Sequence, residues 1–162
     1  MSIKQLFTTL YKHHIRCYSG AMNGQPSIRV VLDTNVVFEG LTQRAGVSGT
    51  IINAWYAGLL KVCVTDALTY EYVDVLTRKL SAARIGITMS ALGTLLESAE
   101  LITIYYRWRP SSPDPGDEFV IDCALNANAP LVTANLKDFR LAQQTLGLHV
   151  LTPKQLLVLL AK

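Results

Sequence analysis

The stretch "RVVLDTNVVFEGL", Arg29 to Leu41, decides how the rest of the chain is read. Its apolar run stops on Asp33, and two small polar residues, Thr34 and Asn35, follow at once. A continuous rather than alternating apolar run is expected of a strand covered on both faces, as in a parallel sheet. Ligands of such sheets bind beyond the carboxyl ends of the strands, which is where this carboxylate stands. Taken alone, Asp33 also reads as a cap or turn former, since Asp, Thr and Asn favour both.

The same kind of run recurs outward from it. "IRVVL" (28–32), "LKVCV" (60–64), "ITIYY" (102–106), "PLVT" (130–133) and "LHVL" (148–151) read as strands. Helical patterns lie between them near 47–59, 67–80, 88–99, 117–128 and 136–145, and a last helix begins at Pro153. Alternation of this kind marks βαβ units, so the expected fold class is α/β: a three-layer α/β/α sandwich with a central parallel sheet of four to five strands. Thr152 is placed to cap the last helix, with Pro153 in its first turn. "RPSSPDPGD" (109–117) is the strong loop signal inside the domain.

The 162 residues suit one domain, which at this length buries roughly 70% of the surface its unfolded chain exposes. Half the residues are hydrophobic, yet no apolar run approaches the ~20 residues of a membrane helix. A thick core and a subunit contact are the expected outlets for that surplus. The net charge of +3 says little about a polyanionic partner. Cys17, Cys63 and Cys123 lie far apart with no C-x-x-C pairing, which supports neither a disulfide framework nor a zinc site, and a reducing cytoplasm is the expected setting. Residues 1–27 contain no Asp or Glu but carry Lys4, Lys12, Arg16, His13 and His14, and read as a basic extension ahead of a domain spanning 28–162. They lack the long apolar centre of a secretory signal.

Other strand exits repeat what Asp33 shows. Glu71 lies early in the helix of "TDALTYEYVDVLTRKL", Asp117 opens "DEFVIDCALNANA", and "ANLKDF" puts Asn135 and Asp138 after the fourth strand. Each has a plain reading as a cap, a dipole partner or a solvated acid. Together they aim one carboxylate or carboxamide after another at one sheet edge. Asp114, in the loop, and Asp122, on another face of its helix, are not expected to join them. Clustered carboxylates repel unless a cation neutralises them, and hard oxygen ligands without a Cys or His cluster select Mg2+ or Mn2+. A cation so held suits hydrolysis of phosphate esters.

These residues, in this order, resemble the PIN-domain nucleases, and within them the bacterial toxin components of toxin–antitoxin pairs. The resemblance covers about 28–160. "VVLDTNVV" is similar to the family's opening strand with its first metal acid at Asp33, supported by Thr34 and Asn35. "LTYEYVDVLTR" resembles the helix with the second acid, Glu71. "DPGDEFVIDCALNANAPLVTANLKDF" resembles the third block, with Asp117, Ala124 seven residues on, and a turn after Thr133 that puts Asn135 or Asp138 in the fourth position. Some relatives carry aspartate where Asn135 stands, so one ion or two remains open. The resemblance implies Mg2+- or Mn2+-dependent cleavage of single-stranded or structured RNA, leaving 5′-phosphate and 3′-hydroxyl ends, by a protein held in check by a small cognate antitoxin. The alternatives are a PIN-like module that binds RNA or protein with a weakened site, and a housekeeping RNA-processing nuclease.

An aspartyl-phosphate phosphatase would want a second acid where Asn35 stands, and neither G-x-x-x-x-G-K-[ST] nor G-x-G-x-x-G occurs. Candidate phosphate-binding cations are Arg44, Lys137 and Arg140, with Arg78, Lys79 and Arg84 further along a helix. "YYRWRP" interleaves Tyr106, Arg107, Trp108 and Arg109, a pattern suited to stacking on bases or to a core or dimer contact. A homodimer is expected through the apolar helices 47–60 and 67–80, with an antitoxin peptide across the acidic groove presenting an arginine to it.

Overall fold

The run around Val30 forms strand β1 (Ile28–Leu32), and its last three residues are fully buried, as a strand covered on both faces requires. In the computed structural model, which describes residues 27–161, it is joined by β2 (Leu60–Val64), β3 (Glu100–Leu101), β4 (Leu131–Val132) and β5 (Val150–Leu151). The sheet order is β3, β2, β1, β4, β5, with every neighbouring pair parallel. The helices among the described residues are α1 (Thr34–Thr42), α2 (Val47–Tyr56), α3 (Asp66–Lys79), α4 (Ala82–Glu97), α5 (Glu118–Ala127), α6 (Arg140–Leu146) and α7 (Pro153–Leu160). A 3-10 turn, Pro115–Asp117, leads into α5. The architecture is the expected α/β/α sandwich with five strands. Residues 1–26 of the expected N-terminal extension, with Cys17 and both of its histidines, lie outside the described residues.

The core is built where the three central strands meet the helices. Val30, Val31 and Leu32 of β1, Val62 and Cys63 of β2, and Leu131 and Val132 of β4 lie at its centre, with Trp55, Tyr72, Phe139 and Leu156 as large fully buried side chains. Burial pushes the Cys63 thiol up to about 11 and raises that of Cys123, so both are inert thiols of the core. Among the described residues no helix is long and apolar enough to cross a membrane. Thr152 caps α7 through a capping box with Gln155, and Pro153 occupies its first turn, as expected.

Several boundaries differ from those the sequence suggests. The expected strand at 102–106 is absent: pairing is confined to Glu100–Leu101, and after Ile102 donates to the Val64 carbonyl the chain leaves the sheet. The backbone N–H groups of Tyr105 and Tyr106 donate instead to Asn126 Oδ1 of α5, at 2.8 and 3.1 Å. A side chain has taken the partners that a neighbouring strand would have supplied. Helix α1 is additional: the β-branched pair Val36–Val37 prolongs the apolar run of β1 and hides the helix, although Asp33 breaks the run with an extended backbone. Helix α4 starts at Ala82 rather than 88, and α6 starts at Arg140 rather than 136, because Asn135 to Phe139 are occupied by a turn.

Apolar α2 and α3 place most of their hydrophobic side chains inside the protomer. Ile51, Ile52, Trp55, Leu68, Tyr72, Val73 and Leu76 are buried, and Tyr56 and Tyr70 are the large ones left at the surface, with Leu59 exposed in the turn after α2.

Strand order now locates the site. The chain moves from β1 to β2 and β3 on one side, then crosses to β4 and β5 on the other, so the direction of winding reverses between β1 and β4. At such a switch point the connections diverge and leave a crevice beyond the strand ends, the usual ligand site of an open α/β sheet. Asp33 follows β1 there and Thr133 follows β4.

Candidate functional site

Asp33 is buried at the mouth of this crevice, and Thr133 Oγ donates to its Oδ2 at 2.6 Å, a bond that bridges the two strands. Asp33 holds the N-cap position of α1 but makes no capping hydrogen bond with its side chain. Capping therefore does not explain the residue. Burial pushes its pKa up, the Thr133 bond and the nearby N–H groups of Asn35 and Thr34 pull it back in part, and Asp138 adds to the rise.

Glu71 sits in the second turn of α3, whose N-cap is supplied by Thr65 accepting from the Leu68 N–H at 3.1 Å. The hydroxyl of Tyr72, next in sequence, donates to the carbonyl of Leu32, so α3 is tied to β1 one residue before Asp33. Burial raises the Glu71 pKa, and the charges of Asp33, Asp117 and Asp114 raise it further. Thr34 Oγ lies close enough to moderate Glu71, yet it is buried without a hydrogen bond of ordinary geometry.

Asp117 repeats the pattern of Asp33. It stands at the N-cap of α5 with no capping side-chain bond, and its pKa is pushed up to about 6 by burial and by Asp33, Asp114 and Asp138, against a lowering from Ser112. Ser112 Oγ, itself buried, lies 3.1 Å from Asp117 Oδ2 and 3.3 Å from the Asp138 carbonyl oxygen, and accepts the Asp114 N–H at 3.2 Å. One hydroxyl thus links the loop, the third acid and the fourth.

The fourth position lies in a turn ahead of α6, where the sequence suggests a helix from 136. Asn135 N–H donates to Thr133 Oγ at 3.0 Å, and the Asn135 carboxamide donates to Asp138 Oδ2. Asn35 is exposed beside Asp33. Asp114, set aside on sequence, joins the cluster, because its charge acts on both Glu71 and Asp117. Asp122 stays out of it, as expected, bound by Arg109 at 2.7 Å. Ser112 and Asp114 both lie within the loop that the sequence marks, but nothing in their local pattern says which way that loop turns.

The basic candidates divide. Lys137 and Arg140 are exposed on either side of Asp138, at the acidic edge. Arg44 is exposed after α1, where its charge acts on Tyr56. Arg78 pairs with Asp74 at 2.7 Å and Lys79 lies over the Phe38 ring at 5.0 Å, two turns or about 10 Å beyond Glu71 along α3. Arg84 donates to the Thr42 carbonyl at 3.1 Å.

Asp33, Glu71, Asp117 and Asp138, from four strand exits, and Asp114 from the loop therefore share one edge. Among the described residues no Lys or Arg forms a salt bridge with any of them. Nor, among the described residues, do three His, Cys, Asp or Glu side chains stand together as a group that could hold a metal ion. An open set of hard oxygen donors, with an orphaned buried hydroxyl beside it, fits a cation that keeps several of its waters, which is how Mg2+ is commonly held. The residues present fit such an ion.

The family model of the PIN domain matches residues 29–137, a span that runs from β1 through Asp33, Glu71, Asp117 and Asn135. The chain belongs to the PIN-domain family. The fold of this PIN domain is similar to that of a chain in the crystal structure of VapBC2 from Rickettsia felis bound to a DNA fragment from their promoter. The TM-score is 0.56 at 15% identity, over 77% of this chain and 98% of that one. A chain of VapBC-1 from nontypeable Haemophilus influenzae is similar with a TM-score of 0.50 at 17% identity, over 78% of this chain and 99% of that one. At these identities the likeness is one of fold. No curated protein matches the chain.

Proposed function

We propose that this PIN domain is a Mg2+- or Mn2+-dependent endoribonuclease that hydrolyses phosphodiester bonds of single-stranded RNA, and that it is the toxin of a toxin–antitoxin pair. The observation that carries the reading is the convergence of Asp33, Glu71 and Asp117 at the switch point, all with raised pKa values and the two at helix starts making no cap. Such an arrangement costs stability in the metal-free chain and is repaid when a cation binds.

Asp33, Glu71, Asp117 and Asp138 would hold that cation. When bound it supplies Lewis acidity, making water a better nucleophile and offsetting charge on the phosphodiester. The chain's own residues do the positioning. Thr133 orients Asp33 through Oδ2, Ser112 restrains Asp117 through its Oδ2, and the buried Thr34 hydroxyl has capacity for a partner beside Glu71. Lys137 and Arg140, exposed on either side of Asp138, would meet backbone phosphates.

The fold likeness to chains of VapBC structures supports an antitoxin partner, and the acidic edge suits a peptide that presents a guanidinium. A second reading, a module that binds RNA or protein without cutting, is favoured by one contact: the Asn135 carboxamide occupies an oxygen of Asp138. End-labelled single-stranded RNA incubated with the purified chain separates the two. Cleavage is expected with Mg2+ or Mn2+ and is expected to disappear in chelator and in Asp33→Asn; cutting that survives either treatment defeats the metal-nuclease reading. A chain that binds the RNA and never cuts it in Mn2+ supports the module instead.

A further inference from the structure

Between β3 and the acidic loop the chain forms a strap that climbs α5 from its C-terminal end towards Asp117. Three residues of one helical stripe, four apart, hold it. Asn126 accepts from the backbone of Tyr105 and Tyr106 and donates to the Tyr106 carbonyl at 2.8 Å; Asp122 binds Arg109; Glu118 accepts the Ser111 and Ser112 N–H groups at 2.8 and 3.3 Å. The backbone is anchored, but the rings are outside. Tyr105 is 77% exposed, Tyr106 67% and Trp108 43%, and the last two lie with ring centroids 5.6 Å apart, tilted by 35°.

We propose that Tyr105 to Arg109 is a binding surface for single-stranded RNA, on which bases stack while the adjoining strand is held at the acidic edge. This deepens the nuclease reading and rests on it. Exposed aromatic rings interleaved with guanidinium groups are the elements of a sequence-tolerant stacking platform. Arg109 is taken up by Asp122 at 2.7 Å and Glu118 at 4.0 Å, whereas Arg107 is 64% exposed with only its Nε near a carboxylate, 3.9 Å from Asp122, so the Arg107 guanidinium is the cation left open to a phosphate. A peptide adding as a strand is a poorer occupant, because Asn126 already takes the backbone groups that such a strand would pair with. The strap also runs unbroken into the loop of Asp114 and Asp117, so a strand bound on it is registered against the acids.

Of the two tryptophans, Trp55 is buried and donates to Ser98 Oγ at 3.1 Å, which makes Trp108 a selective reporter. A short single-stranded oligoribonucleotide titrated into the Asp33→Asn chain in Mg2+ is expected to quench the Trp108 emission saturably, and Trp108→Phe to remove that response. Anisotropy of the labelled oligonucleotide should show Tyr106→Ala with Trp108→Ala weakening binding by about tenfold or more. Arg107→Gln should lower the slope of log affinity against log salt by about 0.7. An oligonucleotide that binds without changing Trp108, or binds the double variant equally well, overturns the proposal, as does no binding at all. So does loss of a dimer in the double variant at unchanged RNA affinity, which would make the rings a protein contact. Metal- and Asp33-dependent cleavage without a Trp108 response removes this inference alone and leaves the nuclease intact.

Discussion

Among the described residues, Thr133 is the side chain whose hydrogen bond crosses the switch point to Asp33, and its removal tests how the carboxylate is held. Thr133→Val leaves a buried carboxylate oxygen without its 2.6 Å donor, so a loss of about 1–3 kcal/mol is expected, read by urea denaturation. Asp33→Asn should act the other way on stability, because the carboxamide keeps an acceptor for Thr133 and removes a buried charge. The metal-free variant is expected to melt higher than wild type at pH 7 while losing cleavage. Titration has a definite sign here. Asp33, Glu71 and Asp117 have folded pKa values above their unfolded ones, so they contribute stability at low pH that is lost as pH rises through the folded values, about 6 for Asp117. Glu118, lowered by its Ser111 and Ser112 bonds against the opposing effect of burial, contributes stability that is lost only as pH falls below the ordinary glutamate value of 4.5. Melting temperature without metal should therefore rise from pH 7.5 towards 5 and fall again below about 4.5.

At the scale of elements, α5 serves the site twice. Its N-terminus presents Asp117, and its stripe Glu118, Asp122 and Asn126 fixes the strap that delivers Asp114 and Ser112. Glu118→Ala is expected to cost about 2–3 kcal/mol, since it strips buried N–H groups of a charged acceptor. Asn126→Ala should leave the core intact and speed hydrogen exchange at the Tyr105 and Tyr106 amides, the two that Asn126 accepts from. The crossing of α1 and α2 depends on close approach: a Cβ on Gly40 would stand 2.5 Å from the Ser48 carbonyl oxygen, so Gly40→Ala is expected to destabilise by about 1–3 kcal/mol. These elements were legible to different degrees. β1, β2, α3 and the Thr152–Pro153 start of α7 carry their signals locally, in apolar runs, caps and a proline. "ITIYY" carries as strong a strand signal as any of them and still is no strand, because a helix side chain competes successfully for its backbone.

For the molecule as a whole, the site is a consequence of strand order, and the metal binding proposed for it would be a property of the folded chain. A cation that binds the native carboxylates and not the unfolded chain raises the melting temperature by mass action. Protons compete for the same oxygens, so the rise with Mg2+ or Mn2+ should be larger at pH 7.5 than at pH 5 and vanish in chelator, measured by thermal unfolding. The amino-acid sequence by itself determined the α/β class, the strands at the centre of the sheet and the acids after their ends, because hydrophobic period and turn chemistry are short-range properties. It also carried the order of acids on which the resemblance to PIN domains rests. Only the tertiary structure decided that β1 and β4 are neighbours, that Asp114 and Ser112 enter the cluster, and that Arg78 and Lys79 stand two turns away from Glu71. It decided too that Asn135 and Asp138 share a turn with a hydrogen bond between them. The physical reason is the same in each case: convergence depends on which strands pair and which side chains compete for backbone partners, and those contacts join residues up to 100 positions apart, as Asp33 and Thr133 are.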